Sequence, residues 1–198
     1  MGNSWQLYQR HPSFVLGFHG TDADIVERLV SRKLDHLEQS EGSYEWLGPG
    51  IYFWENDPQR ALEWARDGRA KHRARTPAVV GAIIDRGYCL DLTTRIGCDE
   101  VAEASQTLVA SYAASGIPLV QNTGGHRELD CQVITTLHAY RRTGGLEPYD
   151  TVRGLFPEDV PLYEGAGFRR GNHTQIAVLN TNCILGYFNP IERRDLLR

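Results

Sequence analysis

Two short stretches decide how this chain folds: FVLGFHGT at residues 14–21 and WLGPGIYFW at residues 46–54. Each joins a run of strand-forming apolar residues to glycines, and together they carry one histidine and one tyrosine. Glycines let the backbone approach a ligand closely, and aromatic rings offer a flat surface to it. The pair therefore indicates a site where a flat aromatic cofactor group is held against backbone.

Length and composition favour a single soluble domain that spans residues 1–198. A chain of 198 residues with 41% hydrophobic residues can bury one substantial core. Its formal net charge of -4 gives no general attraction to nucleic acid or to an anionic membrane. No apolar run is long enough to span a bilayer, and the N-terminus lacks the apolar stretch of a signal peptide. We therefore expect a cytoplasmic protein with no membrane partner.

The four cysteines predict neither a metal site nor a disulfide framework. They are widely spaced at Cys89, Cys98, Cys131 and Cys183, and no CxxC pair occurs. We expect buried free thiols and no bound metal.

A basic stretch runs from Arg66 to Arg75 and is interrupted only by Asp67 among charged residues. Two interpretations remain open. It is either a solvated helix end, where cations favour the C-terminal dipole, or a patch that attracts phosphate groups of a cofactor or an acceptor.

Hydrophobic periodicity and capping residues predict an α+β fold with a mainly antiparallel sheet, because helices lie in the first two thirds and strands dominate the end. The predicted helices are Ala23–Arg32, Pro58–Ala65, Asp99–Ala114 and Glu128–Arg141. The predicted strands are Phe14–Phe18, Gly50–Trp54, Ala78–Ile84, Thr151–Phe156, Thr174–Leu179 and Cys183–Phe188.

The order of these motifs resembles the ADP-ribosyltransferases of the poly(ADP-ribose) polymerase and diphtheria-toxin type. The shared features are HGT, a helix, GxGIYF, a second helix and a late strand, and the likeness is good from Phe14 to Ala65 and moderate from Thr174 to Phe188. The resemblance implies a split antiparallel sheet with flanking helices and a cleft that binds NAD as co-substrate.

The resemblance also assigns roles to individual residues. It implies that His19 binds the adenosine ribose, that the Gly20 backbone holds the nicotinamide carboxamide and that Tyr52 packs on the nicotinamide ring. Trp64 is the candidate for a second aromatic wall, and Thr21 and Gly50 complete the two cofactor-binding motifs. Many members carry a serine in the second helix for the carboxamide, where this chain has Gln59 and Arg60.

The third catalytic position departs from the family pattern. Where the family has a glutamate, this chain has Gln175, which can form hydrogen bonds but carries no charge. Loss of nicotinamide builds positive charge on the ribose, and a carboxylate stabilises that charge. We consider four substitutes for the missing acid: Glu45, Glu55, Asp130 and Glu164.

The expected function is mono-ADP-ribosyl transfer from NAD to a macromolecular acceptor, either protein or nucleic acid, with His19, Tyr52 and Gln175 as catalytic residues. A toxin, an antiphage defence factor and a housekeeping modifier all fit this pattern. One alternative is a binding module for NAD or ADP-ribose without catalysis. The other is an NAD-dependent RNA 2'-phosphotransferase, for which His72, His126 and His173 with the basic stretch would contact the RNA phosphate.

Overall fold

One seven-stranded sheet and four α-helices make up the computed structural model, which describes residues 14–67, 74–123, 126–158 and 160–191. The strands are β1 (Phe14–Asp22), β2 (Ile51–Glu55), β3 (Pro77–Asp85), β4 (Cys89–Asp91), β5 (Thr151–Phe156), β6 (His173–Val178) and β7 (Ile184–Phe188). The helices are α1 (Ala23–Val30), α2 (Pro58–Asp67), α3 (Arg95–Ser115) and α4 (Glu128–Thr143). The strand order is β4-β5-β6-β2-β1-β3-β7, and only β4 and β5 pair in parallel. The α+β class with a mainly antiparallel sheet is confirmed.

The largest differences from the predicted elements concern β1, α3 and β4. Strand β1 continues through His19 and Gly20 to Asp22, because its whole length pairs with β3. Helix α3 begins earlier than Asp99, since the Thr94 hydroxyl accepts the Gly97 N–H and caps it there. Strand β4 was not predicted, because three residues are too few to show a period.

The two faces of the sheet carry separate hydrophobic cores. On one face, α1 packs over β1, β2, β3 and β6, around the fully buried Phe53 and Ile176. On the other face, α3 and α4 pack over β4 and β5, around Leu90 and Val152. A third, smaller cluster lies under α2, where Ala61 meets Phe18 and Trp54. Helices therefore cover both faces of the sheet, with α3 and α4 over the end formed by β4 and β5.

Strands β1 and β2 are joined over a very short length. Their register consists of Gly17 opposite Glu55 and Phe18 opposite Trp54, whereas β1 pairs with β3 from Phe14 to Asp22. The strands remain in one hydrogen-bonded sheet, so the expected split is a divergence between neighbours and not a division into two sheets. This divergence opens a cleft beside His19 to Thr21.

Two further results concern the helices and the cysteines of the described residues. No helix among them is long and apolar enough to cross a membrane. All four cysteines are free thiols, three of them buried, while Cys98 is exposed and so departs from the expected burial.

Helix α2 approaches strand β1 so closely that Gly20 has no room for a side chain. A Cβ atom at Gly20 would lie 1.9 Å from the Ala61 carbonyl oxygen. The glycine in HGT is therefore required by packing, whatever it contributes to ligand binding.

We expect Gly20→Ala to lower the free energy of unfolding by about 1–3 kcal/mol, because the added methyl group must displace helix backbone. Urea denaturation measures the change. The matched control is Gly186→Ala in β7, where a Cβ meets nothing within 4 Å and the shift should stay within about 0.5 kcal/mol. Equal effects of the two substitutions would contradict the packing argument.

Candidate functional site

A cleft of about 850 Å³ opens where β1 and β2 diverge. Its volume falls within the roughly 300–1,000 Å³ of typical small-molecule sites. All the residues that the sequence predicts for cofactor binding or catalysis line this one cleft, although they come from four separate elements and a loop. They are His19, Gly20, Thr21, Gly50, Tyr52, Trp64 and Gln175.

His19 takes over the link between β1 and β2 at the point where backbone pairing ends. Its Nδ1 lies 2.7 Å from the Tyr52 carbonyl oxygen. A carbonyl only accepts, so Nδ1 carries the proton and Nε2 keeps a lone pair. Burial lowers the pKa of His19 below its usual value, which favours this neutral form. The residue can therefore accept a hydrogen bond from a hydroxyl group in the cleft.

Tyr52 is fixed by its hydroxyl as well as by its ring. The hydroxyl donates to the Gly48 carbonyl over 2.7 Å and accepts from the Leu47 N–H over 2.9 Å. Burial raises the pKa of Tyr52 well above its usual range, and the nearby Glu45 carboxylate raises it further. The phenol thus stays protonated, holds the loop before β2 and presents its ring to the cleft.

The second aromatic wall comes from helix α2. Trp64 is about one third exposed, and its ring centroid lies 5.8 Å from that of Trp54 on β2. Gln59, in contrast, donates to Glu63 on the helix surface, whereas Arg60 reaches the cleft. Of the two residues near the family's serine position, Arg60 is the one in place to meet a ligand.

Gln175 is oriented by a tryptophan. Its Oε1 accepts a hydrogen bond of 2.6 Å from the Trp46 indole N–H, which identifies the amide oxygen because an indole only donates. The Trp46 ring fits there because Gly154 lies opposite Gln175 on β5, where a Cβ would come within 2.6 Å of the ring. The amide NH2 group is left to donate elsewhere.

Sequence reasoning did not identify an aromatic row along β5 and β6. Phe156 lies opposite His173 in register, and their rings stack with centroids 5.2 Å apart and planes 15° apart. Trp46 meets Phe156 edge-on at 5.3 Å. The sequence named His173 for an RNA phosphate alone, although strand alternation also places it on the face of Gln175, two residues further on.

Of the four carboxylates considered as substitutes, Glu45 is the one that lines the cleft, and it accepts the Ser40 hydroxyl over 2.5 Å. Glu55 is paired with Arg153 at 2.6 Å, and Asp130 accepts from Asn122. Glu164 lies on an exposed turn. A negative charge can therefore reach the cleft from the loop that carries Trp46.

Cationic side chains also line the cleft. Arg60 forms an ion pair with Glu158 at 3.4 Å, and the Arg127 guanidinium lies 5.3 Å from the centroid of Phe156. Arg28 lines the α1 side and is exposed. Most of the basic stretch lies outside the described residues, as does His72, so neither interpretation of that stretch is decided.

Within the described ranges, no group of three or more His, Cys, Asp or Glu residues could hold a metal ion. No family model matches the chain, and no solved structure matches it significantly. The chain is 25% identical over 159 residues to an uncharacterized protein of Methanocaldococcus jannaschii, covering 78% of this chain and 71% of that protein.

We expect Tyr52→Phe to lower the free energy of unfolding by about 1–3 kcal/mol, because the Leu47 N–H and the Gly48 carbonyl both lose their partner. Chemical denaturation measures it. Tyr140→Phe serves as control, since Tyr140 is 64% exposed on α4 and should change stability little. An unchanged Tyr52→Phe variant would show that the hydroxyl does not anchor the loop.

Proposed function

We propose that this protein is a cytoplasmic mono-ADP-ribosyltransferase that cleaves NAD at the nicotinamide–ribose bond and passes ADP-ribose to a macromolecular acceptor. The observation that carries the proposal is that the predicted NAD-binding and catalytic residues come together in the fold. The seven residues to which the sequence assigns separate roles toward NAD are spread from His19 to Gln175, and all of them line a single cleft. The free thiols are in keeping with a reducing compartment.

The chemistry of the lining suits the parts of NAD. His19 offers Nε2 as an acceptor for a ribose hydroxyl, and Tyr52 and Trp64 offer aromatic surface for the nicotinamide ring. The diphosphate carries negative charge, for which Arg28 and Arg60 are cations along the cleft. Gly20 also lines the cleft, and we assign its backbone to the carboxamide.

Catalysis requires stabilisation of positive charge on the ribose as nicotinamide leaves. Gln175 supplies an oriented hydrogen-bond donor there but no charge. Glu45, on the residue before Trp46, is the carboxylate that we assign to this electrostatic role. A neutral third position of this kind fits transfer of one ADP-ribose unit and not chain elongation.

A binding module for NAD or ADP-ribose is the second candidate, favoured by the neutral amide of Gln175. Binding measured by calorimetry with no turnover would support it. The RNA 2'-phosphotransferase alternative finds less support. Of its three histidines, His173 lines the cleft, His126 packs against Tyr44 and His72 lies outside the described residues.

We expect the purified protein to release nicotinamide from NAD and to transfer label from NAD to components of a cell lysate. Tyr52→Ala should reduce either signal at least tenfold, because the ring that faces nicotinamide is lost. Chromatography of nicotinamide and autoradiography provide the measurements. Tyr140→Ala on the exposed face of α4 is the control and should keep both signals. Absence of both signals in the wild-type protein would refute the transferase proposal.

We expect Gln175→Glu to increase nicotinamide release by about 10- to 100-fold. A glutamate keeps an oxygen for the Trp46 N–H and adds a negative charge beside the developing cation. Gln175→Leu is the matched comparison, because it loses the hydrogen bond and adds no charge. Initial rates at saturating NAD test this. If Glu and Leu lower the rate equally, position 175 does not face the reacting ribose.

A further inference from the structure

His173 is a buried histidine whose position in the cleft has no role in binding NAD as described above. It begins β6, and 6% of its surface is exposed. Because strand residues two apart share a face, it lies about 7 Å from Gln175 along the same side of the sheet. Its ring stacks on that of Phe156 and lies at a tilt to that of Trp54, whose centroid is 6.4 Å away.

A hydrogen bond sets the proton on one ring nitrogen of His173, and the other nitrogen keeps a lone pair that can accept a proton. Nδ1 lies 2.8 Å from the Gly171 carbonyl oxygen, so Nδ1 carries the proton and Nε2 holds the lone pair. Burial lowers the pKa of His173 below its usual value, and Arg60 on α2 acts in the same direction. The hydrogen bond to the Gly171 carbonyl opposes this lowering of the pKa, as do Glu158 after β5 and Asp57 before α2. The imidazole is therefore neutral near pH 7 and ready to take a proton.

We propose that His173 Nε2 is the general base that removes the proton from the attacking group of the acceptor. This inference rests on the proposed transferase function. In the step, the acceptor oxygen or nitrogen forms a bond to C1' of the nicotinamide ribose. The C1'–N bond breaks, and its electron pair leaves with neutral nicotinamide. The acceptor proton moves to Nε2 and then to water.

This role restricts the chemical class of the acceptor. A carboxylate has no proton to lose at neutral pH and gains nothing from a neighbouring base. A hydroxyl or an N–H group must lose its proton as the bond forms, and a base placed beside it accelerates that step by about 10²–10⁴-fold. The acceptor of this enzyme therefore attacks through a hydroxyl or N–H group.

The test compares two small nucleophiles in the presence of NAD. Methanol must lose a proton when it attacks C1', whereas azide has none to lose. We expect His173→Asn to lower formation of the methyl product about 100-fold and to leave the azide product within about threefold of wild type. Asparagine keeps an N–H for the Gly171 carbonyl, so the strand end should hold. His126→Asn, at an exposed position, is the control and should leave both products unchanged.

The pH dependence provides a second readout. With methanol, the wild-type rate should rise through a pKa below 6.5, and this limb should be absent with azide and in His173→Asn. Parallel loss of both products in His173→Asn would mean a structural role and overturn the proposal, as would full retention of both. Wild-type protein that releases no nicotinamide with either nucleophile would refute the transferase function itself, and this inference with it.

Discussion

The hydrogen bond from His19 to the Tyr52 carbonyl is the interaction on which the cleft depends. Backbone pairing between β1 and β2 ends at Phe18 and Trp54, and the next link is this side chain. It holds the strands at a fixed separation without closing the gap between them. It also sets the tautomer of His19, so the same bond that shapes the cleft leaves the lone pair on Nε2.

Glycines in the two motifs serve packing as much as they serve a ligand. Gly20 lets α2 lie directly on β1. At Gly50, where φ is 154°, a Cβ atom would lie 3.0 Å from the Val178 carbonyl oxygen, so a glycine lets β2 begin close to β6. A motif of this kind therefore indicates a cleft geometry first. Its chemistry depends on the side chains that the geometry brings together, and these come from parts of the chain far from the motif.

The sequence was informative where local rules apply and silent where distant elements meet. Alternation and caps located most strands and helices, because those signals are carried by neighbouring residues. The extension of β1 to Asp22 depends on β3, and the orientation of Gln175 depends on Trp46, 129 residues away. Neither is encoded in a local pattern. His173 lay within reach of strand alternation, but its stacking on Phe156 needed the pairing of β5 with β6.

In the proposed transferase, the bond between Trp46 and Gln175 explains how a neutral residue can occupy a position that suits an acid. The indole N–H needs an acceptor, and either an amide or a carboxylate oxygen satisfies it, so the local fold tolerates both. With the amide oxygen engaged, the remaining group can only donate, which orients a hydroxyl but does not stabilise a cation. Under the proposed function, charge stabilisation then comes from another element, and the loop that supplies Trp46 also supplies Glu45. Orientation and charge, which a single glutamate would combine, are in this proposal divided between β6 and the loop before β2.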